Sequence, residues 1–570
     1  MADYVAPVRD HLFFLEHVMG HSRLSRINSN LTPDLVQTIL ESAGSLAAGS
    51  FAPLNRSGDK QGAQLTPHGV VVPKGFKEAY HDYVQGGWNA LPFAEEWGGQ
   101  GLPPLLMLPV QEMLQSANIS LALVTLLNEG ATSLLAEHGD DNLKKTYLPK
   151  MVSGAWTGTM NLTEPQAGSD LSAIRCRAEP HGDAYKIMGQ KIFISYGEHD
   201  LTENIIHFVL ARLPDAPEGI KGISLFLVPR VLPNGTPNDV RAVSLEHKLG
   251  LHGSPTCVMS FGDNGGATGY LVGRANAGIP AMFTMMNHAR LGVAVQGLGL
   301  AERAMQDAVD YARTRVQGGG SIIQHADIRR MLLLMQAKIM AGRALLYQAY
   351  YALSTKHQGY GHEREKLVDW LTPLCKAWLT DQANIITSEC IQVFGGMGYI
   401  EETGVAQHYR DARVLAIYEG TNGIQAADLV NRKLLKDTGT TQRHWAKSIR
   451  ALAEQCGHLE GASFIGMTHQ LNSALECQRL ASDWLISSRE TEAIAAAAHD
   501  YLQMTSIVAA GAALIEAAIA ARQKPDDAYH QKIILLAETF ASYEMPMTVT
   551  HLHRIMQASH LPLALKPEAF

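Results

Sequence analysis

The chain has 570 residues, which is too long for a single hydrophobic core and predicts two to four domains. Hydrophobic residues make up 46% and charged residues 18%, a balance typical of a globular chain and not of a disordered one. The net charge of −8 gives no indication of nucleic-acid binding.

The six cysteines include no C-x-x-C pair and do not make a disulfide framework in a chain of this length, which favours a reducing compartment. The N-terminal stretch contains Asp3 and Asp10 and no uninterrupted apolar run, so it has the pattern of neither a signal peptide nor a transit peptide. The longest apolar stretch, 507–521, is interrupted by Glu516 and is shorter than the roughly 20 residues of a membrane span. We therefore expect a cytoplasmic protein without a membrane span.

The first part of the chain is predicted to be helical and the second part strand-rich. Residues 1–155 follow helical patterns, except that the Gly- and Pro-rich stretch 50–75 predicts an ordered loop or a crossover. The composition then shifts to short β-type runs separated by Gly, Pro, Asn and Asp. These runs predict a small antiparallel β domain, with strands at 184–187, 191–194, 205–210 and 223–228.

The remainder of the chain returns to helical periodicity. The pattern predicts the long helices of an antiparallel bundle, at 282–316, 322–357, 364–395 and 403–415. A linker is predicted at 433–441. Residues 442–560 are amphipathic and Ala-rich and predict three or four more helices. No metal site is predicted, since no H-E-x-x-H motif accompanies the spaced histidines.

The stretch 391–425 combines three features that are weak alone and specific together. A Gly-rich turn at 395–398 lets the backbone approach a bulky ligand closely. The charged segment 410–413 follows, and then comes Tyr418-Glu419-Gly420-Thr421. Glu419 follows an apolar run, where a carboxylate can have a raised pKa and act as a base. The order and spacing of the three features resemble the C-terminal signature of the acyl-CoA dehydrogenase family.

This resemblance covers roughly residues 75–435 and includes a Gly-rich turn at 92–101. It implies a mainly α fold with a central antiparallel β domain, built as a helical domain, a β domain and a four-helix bundle, here with an extra C-terminal helical domain. The expected bounds are 1–155, 156–280, 281–438 and 439–570. The N-terminal segment, the 50–75 stretch and the C-terminal extension look like the branch that includes 3-methylthiopropionyl-CoA dehydrogenases and some bacterial fatty-acyl-CoA dehydrogenases.

Two motifs imply contacts with the ring of an FAD cofactor. The segment 160–170 resembles the family's T-E-P-x-x-G-S-D motif, which implies that Met160, Leu162 and Thr163 face FAD and that Ser169 contacts the pantetheine arm of CoA. Backbone groups and a hydroxyl suit the donors and acceptors of the flavin edge. The later segment 191–195 resembles the family's aromatic-Ile-Ser/Thr motif. It implies that Phe193 packs on the flavin and that Ser195 hydrogen-bonds to it.

Further matches imply contacts with substrate. Asn287 and Arg290 match positions at the start of a long helix that touch the pantetheine or nearby groups. Some relatives carry their catalytic Glu at the helical position of Ala289. Alanine cannot serve as a base, which leaves Glu419. Gly420 is expected to contact the substrate beside that base.

The remaining cofactor contacts are implied for the adenosine side and for a partner subunit. Arg315 is expected to pair with the FAD pyrophosphate of a neighbouring subunit, a role suited to a guanidinium fork. Gly318 and Ala326 depart from the family's usual Phe and Gln. Thr421 matches a flavin-phosphate or ribitol contact. The expected contacts of the adenosine side are Gln317 and His325, and those of the turn that receives the partner's FAD are Gln392, Gly395 and Gly396. A complete site would then need a homodimer or a homotetramer.

The resemblance implies dehydrogenation of an acyl-CoA to the trans-2-enoyl-CoA. Glu419 would take the α proton while the β hydrogen leaves as hydride to FAD, and the electrons would pass to an electron-transferring flavoprotein. Two substrates fit, 3-methylthiopropionyl-CoA and a medium- or long-chain fatty acyl-CoA. An acyl-CoA oxidase using O₂ is one alternative. Another is a non-enzymatic nucleic-acid-binding relative, which is disfavoured because residues 436–570 hold eleven basic and fourteen acidic residues.

Overall fold

A computed structural model describes residues 2–356 and 361–569. The predicted end of the helix 322–357, and residues 1 and 570 of the outer domains, therefore lie outside the described part. By its contacts the chain forms two compact units. The first unit comprises 1–44, 104–112 and 293–570, and the second comprises 45–103 and 113–292. The chain crosses between the units four times, because the second unit is itself interrupted by residues 104–112.

The part of the chain before residue 156 is helical, as predicted. Its helices and strands are α1 (Val8–Phe13), α2 (Gly20–Ile27), α3 (Pro33–Leu46), α4 (Asn55–Gln61), β1 (Gln64–Thr66), β2 (Gly69–Val71), α5 (Phe76–Gln85), α6 (Pro104–His138) and α7 (Asp141–Val152). The prediction of a loop at 50–75 was wrong, because α4 and the β1–β2 hairpin lie there. Helix α6 contains a break at Asn118, whose φ of −159° and ψ of 89° are not helical.

The β domain follows, with β3 (Trp156–Asn161), β4 (Arg177–His181), β5 (Ala184–Ser195), β6 (Asn204–Arg212), β7 (Ile223–Pro229), β8 (Val240–Leu245), β9 (Thr256–Phe261) and β10 (Ala267–Leu271). The predicted runs at 184–187 and 191–194 are one strand, β5. Most pairings are antiparallel, as predicted, although β3 and β4 pair with β6 in parallel. Strand β10 pairs with both β7 and β5, so the sheet closes on itself. Strands β6 and β7 are buried almost throughout, which explains their continuous apolar runs.

The bundle contains α8 (Gly278–Thr314), the short strands β11 (Val316–Gln317) and β12 (Gly320–Ser321), α9 (Ala326–Thr355), α10 (Gly361–Phe394), α11 (Val405–Ala412) and α12 (Asn422–Asp428). The extension contains α13 (Thr440–Gly457), α14 (Ala462–Ser487), α15 (Thr491–Ala521), α16 (Ala528–Tyr543), α17 (Met547–His553) and α18 (Leu561–Ala564). The predicted helix 403–415 is shorter, because a 3₁₀ turn at 413–416 ends it.

The extension packs on α10 through aromatic side chains. The rings of Trp370 and Trp445 lie 5.7 Å apart, and those of Trp378 and Phe540 lie 6.0 Å apart. Trp370 and Trp378 are fully buried. The extension therefore shares a hydrophobic core with the bundle and is not a separate domain tethered by a linker.

Helices α6 and α15 are long and apolar enough to cross a membrane. Within the chain, however, 89% and 83% of their most apolar windows are buried. Core helices meet the same length and composition criteria, so the two helices are weak evidence for a membrane span.

A fully buried arginine, Arg343 on α9, joins the N-terminal segment to the rest of the first unit. Its guanidinium lies 2.9 Å from Asp10, 2.5 Å from Glu112 and 3.0 Å from Glu302. The hydroxyl of Tyr529, from the extension, donates to Asp10 at 2.6 Å. These residues, Asp10, Glu112, Glu302, Arg343 and Tyr529, are called the Arg343 cluster below. One buried cation thus serves three carboxylates from three different helices.

Candidate active site

In the second unit, a buried ion pair fixes the loop that follows β3. The Lys191 ammonium, which is fully buried, donates to Glu164 Oε1 at 2.8 Å and to the carbonyl of Leu162 at 2.9 Å. Glu164 also accepts from the backbone N–H groups of Arg175 and Cys176, at 2.7 and 3.0 Å. The loop carrying Leu162 and Thr163 is thereby held against β5.

Strand β5 presents an aromatic ring at a bulge. Its pairing with β9 shifts between Lys191 and Ile194, and Phe193 lies inside the shift with φ of +59°, unusual for an aromatic residue. Its side chain is 60% exposed. Strain that turns an apolar ring outward is typical of a ligand site, because packing alone would bury the ring.

Five predicted flavin contacts come together around this bulge. The N–H of Ile192 donates to the carbonyl of Thr163 at 2.9 Å, which joins the loop to the strand that carries Phe193 and Ser195. The side chains of Met160, Leu162, Thr163 and Ser195 are half-buried. An exposed ring beside half-buried apolar and hydroxyl groups fits the flat, polar-edged ring system of FAD. Ser169 lies exposed on the same loop, beyond Glu164.

The predicted pantetheine contacts lie on α8 in the same unit. Asn287 is half-buried and Arg290 is buried, with its guanidinium 5.9 Å from the ring centre of Phe283. The neighbouring His288, which is half-buried, lies 3.5 Å from the carboxylate of the buried Glu129 on α6, a pair that no sequence motif indicated. Because Glu and His occur at many helical positions of the chain, the sequence carries no distinctive signal for this pair.

In the first unit, Glu419 lies in a constrained turn between two helices. Its φ is +56°, and that of Gly420 is +85°. The fully buried Lys376 of α10 donates to the carbonyl of Gly420 at 2.8 Å and to Asn422 Oδ1 at 3.0 Å. The amide of Gln425 donates to the carbonyl of Glu419 at 3.3 Å. The Glu419 side chain is half-buried. A non-glycine residue with positive φ, held by a buried ammonium, has the marks of a functional turn.

Thr421 also has a structural role, at the start of α12. Its hydroxyl caps α12 by accepting from the N–H of Ile424 at 3.2 Å. Tyr418 donates its hydroxyl hydrogen to Gln296 on α8. Burial, followed by the nearby Glu419 carboxylate, raises the pKa of Tyr418 well above its usual value, so it stays a neutral donor.

The adenosine-side residues lie on the β11–β12 hairpin of the first unit. Gly318 and Gly319 form its two-residue turn with φ of +63° and +89°, a backbone conformation that favours glycine at both positions. His325 bonds to the carbonyl of Gln317 at 3.0 Å. Arg315 and Gln317 are exposed, so a guanidinium is available to a diphosphate.

The predicted partner-facing turn is also exposed. Gln392, Gly395 and Gly396 lie at the end of α10, followed by Tyr399, which is 89% exposed. The ring of Phe394 stacks on Tyr311 of α8 with centres 4.1 Å apart. This stack joins the end of α10 to the helix that leads into the hairpin. The predicted adenosine-side and partner-facing residues are therefore neighbours on one unit.

We expect Lys191→Met to loosen the flavin-facing loop in a pH-dependent way. Burial acts to raise the pKa of Glu164, but Lys191 and two backbone donors outweigh it and hold the pKa below its usual value. This carboxylate therefore stabilises the fold above its unfolded pKa, and the contribution is lost as the pH falls through its folded pKa. Without Lys191 the folded pKa rises and the loss begins at a higher pH.

The measurement is FAD retention after gel filtration, at pH values from 4 to 8, with Lys221→Met, at an exposed lysine of the same unit, as the control. Equal retention curves for the Lys191 variant and the wild type would contradict the role of the ion pair.

A helical domain, a closed β domain and a helical bundle, with these motifs on them, define the class of FAD-dependent acyl-CoA dehydrogenases. Family models agree. Those for the N-terminal, middle and C-terminal domains of acyl-CoA dehydrogenase match residues 37–155, 159–264 and 276–434, and one described as acetyl-CoA dehydrogenase C-terminal like matches 445–566.

The chain belongs to the acyl-CoA dehydrogenase family, oxidoreductases that act on the CH–CH group of an acyl-CoA with FAD as cofactor. It is 45% identical to the 3-methylmercaptopropionyl-CoA dehydrogenase of Ruegeria pomeroyi, over 83% of this chain and 85% of that protein.

Two solved structures share the fold. A chain from a study of the electron transferring flavoprotein of Acidaminococcus fermentans is 28% identical with a TM-score of 0.60, over 71% of this chain and 99% of that one. An acyl-CoA dehydrogenase from Bacillus anthracis, complexed with FAD, is 18% identical with a TM-score of 0.78, over 94% of this chain and 91% of that one. The second match includes the extension.

Proposed function

We propose that Glu419 is the base in the α,β-dehydrogenation of an acyl-CoA thioester by this protein. The observation that carries the proposal is the constrained 418–422 turn, in which positive φ at Glu419 coincides with a buried Lys376 bonded to the next carbonyl. Ala289 occupies the alternative position for a base and has no titratable group.

The chemistry needs a base at the α carbon and stabilisation of the developing enolate oxygen. Bound FAD supplies the hydride acceptor for the β carbon. Glu419 takes the α proton on its carboxylate, and its own backbone N–H is the expected donor to the thioester oxygen. Lys376 and Gln425 hold the carbonyls on either side of Gly420, so the N–H and the carboxylate keep one orientation. Preorganised donors of this kind are worth roughly 3–4 kcal/mol.

The cofactor and substrate contacts are proposed from the resemblance, and the exposure of Phe193 and Ser169 supports two of them. The flavin ring would pack on Phe193 and would accept or donate a hydrogen bond at Ser195. It would also face Met160, Leu162 and Thr163. Thr421 would contact the ribitol or phosphate. Ser169, Asn287, Arg290 and Gly420 would contact the substrate.

We further propose 3-methylthiopropionyl-CoA as the substrate. The support is the 45% identity to an enzyme that bears that substrate in its name, over most of both chains. The test is an anaerobic titration of the purified protein with 3-methylthiopropionyl-, butyryl-, octanoyl- and palmitoyl-CoA, following the flavin absorbance. Selective bleaching by the first thioester supports the proposal. Preferential bleaching by octanoyl- or palmitoyl-CoA makes the protein a fatty acyl-CoA dehydrogenase, and no bleaching by any thioester overturns the assigned activity.

The proposed electron acceptor is an electron-transferring flavoprotein, with the protein acting in the cytoplasm. The structural likeness to a chain from a study of such a flavoprotein supports the pairing. Admitting air after anaerobic bleaching tests it. Slow return of the flavin colour, made fast by added electron-transferring flavoprotein, supports a dehydrogenase, whereas immediate return with peroxide formation identifies an oxidase.

The four-domain division at residues 155, 280 and 438 also stays a proposal.

A homodimer is the proposed minimum assembly, since Arg315, Gln317, His325, Gln392, Gly395 and Gly396 would serve the partner's FAD. We expect two inactive variants, Glu419→Gln and Arg315→Glu, to complement each other when coexpressed. Each mixed dimer would hold one site with wild-type Glu419 and wild-type Arg315. The other site carries both substitutions and is inactive, so the purified mixed dimer should show about one half of the wild-type activity per mole of subunit.

Activity is measured on tagged, copurified mixed dimers, with each variant alone as the control. Mixed dimers as inactive as their parents would show that Arg315 serves its own subunit's site.

A further inference from the structure

A chain of hydrogen bonds runs from the Glu419 turn to the C-terminal extension, entirely within the first unit. Lys376 donates both to the carbonyl of Gly420 and to Asn422 Oδ1. Asn422 Nδ2 donates to Asp381 Oδ1 at 2.7 Å. The other oxygen of Asp381 accepts from Gln503 Nε2 at 2.6 Å. Gln503 belongs to α15, 122 residues beyond Asp381 in the sequence.

Asn422 is the branch point of this chain of bonds. It is buried at the start of α12, and its Nδ2 also bonds to the carbonyl of Ala377 at 3.1 Å and to Thr380 Oγ1 at 3.0 Å. Its side chain is therefore fixed by α10 on every side. Because Asn422 follows Gly420 by two residues, fixing it also fixes the end of the turn that carries Glu419.

Asp381 connects Asn422 to the extension, because it accepts hydrogen bonds from both Asn422 and Gln503. Its two oxygens accept from two different helices, α12 and α15. Burial acts to raise the pKa of Asp381, while the bonds from Asn422 and Gln503, and the charges of His499 and Lys376, favour the ionised form. A carboxylate that loses one of two donors in a partly buried site becomes easier to protonate and orients its remaining partner less well.

We propose that Gln503 is a positioning residue for the catalytic base, and that through it the C-terminal extension forms part of the active-site support. The proposal rests on the assignment of Glu419 as that base. The proposal gives the extension a role in the reaction. Helix α15 also contacts α10 at a second point, where the hydroxyl of Ser506 donates to the carbonyl of Leu374 at 3.5 Å. Removing the amide of Gln503 leaves the fold of α15 in place and releases one oxygen of Asp381.

The test compares Gln503→Leu with a matched control, Gln478→Leu. Gln478 is a fully buried amide of the same extension, and its bonds to Gln442, Ser482 and Tyr501 lie within the extension. Both variants lose a hydrogen-bonded amide from the extension. Two quantities are measured on the FAD-loaded proteins: the rate of anaerobic flavin reduction at saturating substrate, and deuterium exchange of the backbone amides at 415–428.

For Gln503→Leu we expect flavin reduction to slow roughly five- to twentyfold, because small misplacements of a catalytic group cost rate steeply. The apparent substrate affinity should change little, and exchange at 415–428 should accelerate. The Gln478 control should match the wild type in both quantities. Wild-type rate and exchange in Gln503→Leu overturn the proposal, as does an equal fall in both variants, since that would reflect a general loosening of the extension.

A second variant, Gln503→Glu, keeps the shape of the side chain and adds a readout that a purely structural role would not move. Two facing carboxyls share a proton, so a glutamic acid at 503 donates to Asp381 only while protonated. The quantity to follow is the flavin-reduction rate of Gln503→Glu divided by the wild-type rate at the same pH. This ratio should be closest to one at the lowest pH and should fall as the pH rises. A ratio that does not vary with pH contradicts the proposal, including where the Leu variant fails to fold.

The outcome for Glu419→Gln separates this inference from the proposed function. If that variant keeps wild-type flavin reduction, Glu419 is not the base and the function assigned to the turn fails. If Glu419→Gln is inactive and Gln503→Leu is fully active, the base stands and only the role of the extension fails.

Discussion

Glu419→Gln is expected to slow anaerobic flavin reduction at least about a hundredfold, the usual scale for loss of a general base. Glutamine keeps the size of the side chain and the backbone N–H of the turn, but it cannot accept the α proton. The carbonyl of Gly420 keeps its bond to Lys376, so the turn should keep its shape. Binding of the acyl-CoA should therefore persist while the chemical step is lost.

Stopped-flow absorbance of the FAD-loaded variant measures this directly. Glu454→Gln, an exposed glutamate of the extension, is the control and should reduce as fast as the wild type. Rapid bleaching in Glu419→Gln would falsify the assignment, whereas weak substrate binding with little bleaching would indicate a collapsed turn.

Arg343→Met is expected to cause the largest loss of stability, about 3–5 kcal/mol at neutral pH, the range for removing one partner of a buried ion pair. The variant leaves Asp10, Glu112 and Glu302 facing one another without their shared cation. Glu112 is fully buried, so its charge cannot be screened by water. His11, although 3.4 Å from Glu112, is neutral in the wild type, because burial, together with the Arg343 charge, lowers its pKa to about 3.

The loss should depend on pH. Burial raises the pKa of Glu112, with Arg343 opposing that rise, so without Arg343 this pKa is higher still. A carboxyl whose pKa is higher in the folded chain than in the unfolded one destabilises the fold increasingly as the pH rises. The gap between variant and wild type should therefore narrow from pH 7.5 to pH 5.

Thermal unfolding at several pH values gives the measurement. Arg479→Met, which removes an exposed arginine from a surface ion-pair network, should hardly move the melting temperature. A pH-independent gap in Arg343→Met would mean that lost packing, and not unpaired charge, sets its stability.

The fold class could be predicted from sequence because the order of helical and strand periodicities is local information. The motifs of the family likewise lie in short stretches, such as 160–170 and 391–425, that can be compared directly. The error at 50–75 has a simple cause. Gly58 lies inside α4, close against the ring of Phe76, so a residue that normally indicates a loop serves helix packing there.

The supports of the site could not be predicted, because they depend on distant pairs. Lys376 looks like any helical lysine in the sequence, and only the structure shows it buried under the Gly420 carbonyl. Phe193 sits in an ordinary strand pattern, and its positive φ arises from a bulge that periodicity does not encode. Its position in the strand was visible, but its exposure was not.

The Arg343 cluster also has a consequence for synthesis of the chain. Asp10 and Tyr529 bond across 519 residues of sequence. At ribosomal rates of about 5–20 residues per second, Tyr529 is made roughly 25–100 s after Asp10. Throughout that interval the first helix of the nascent chain lacks the side chain that completes its docking. Helix α1 is thus translated long before its docking can be completed, and a bound chaperone would have that interval in which to act on it.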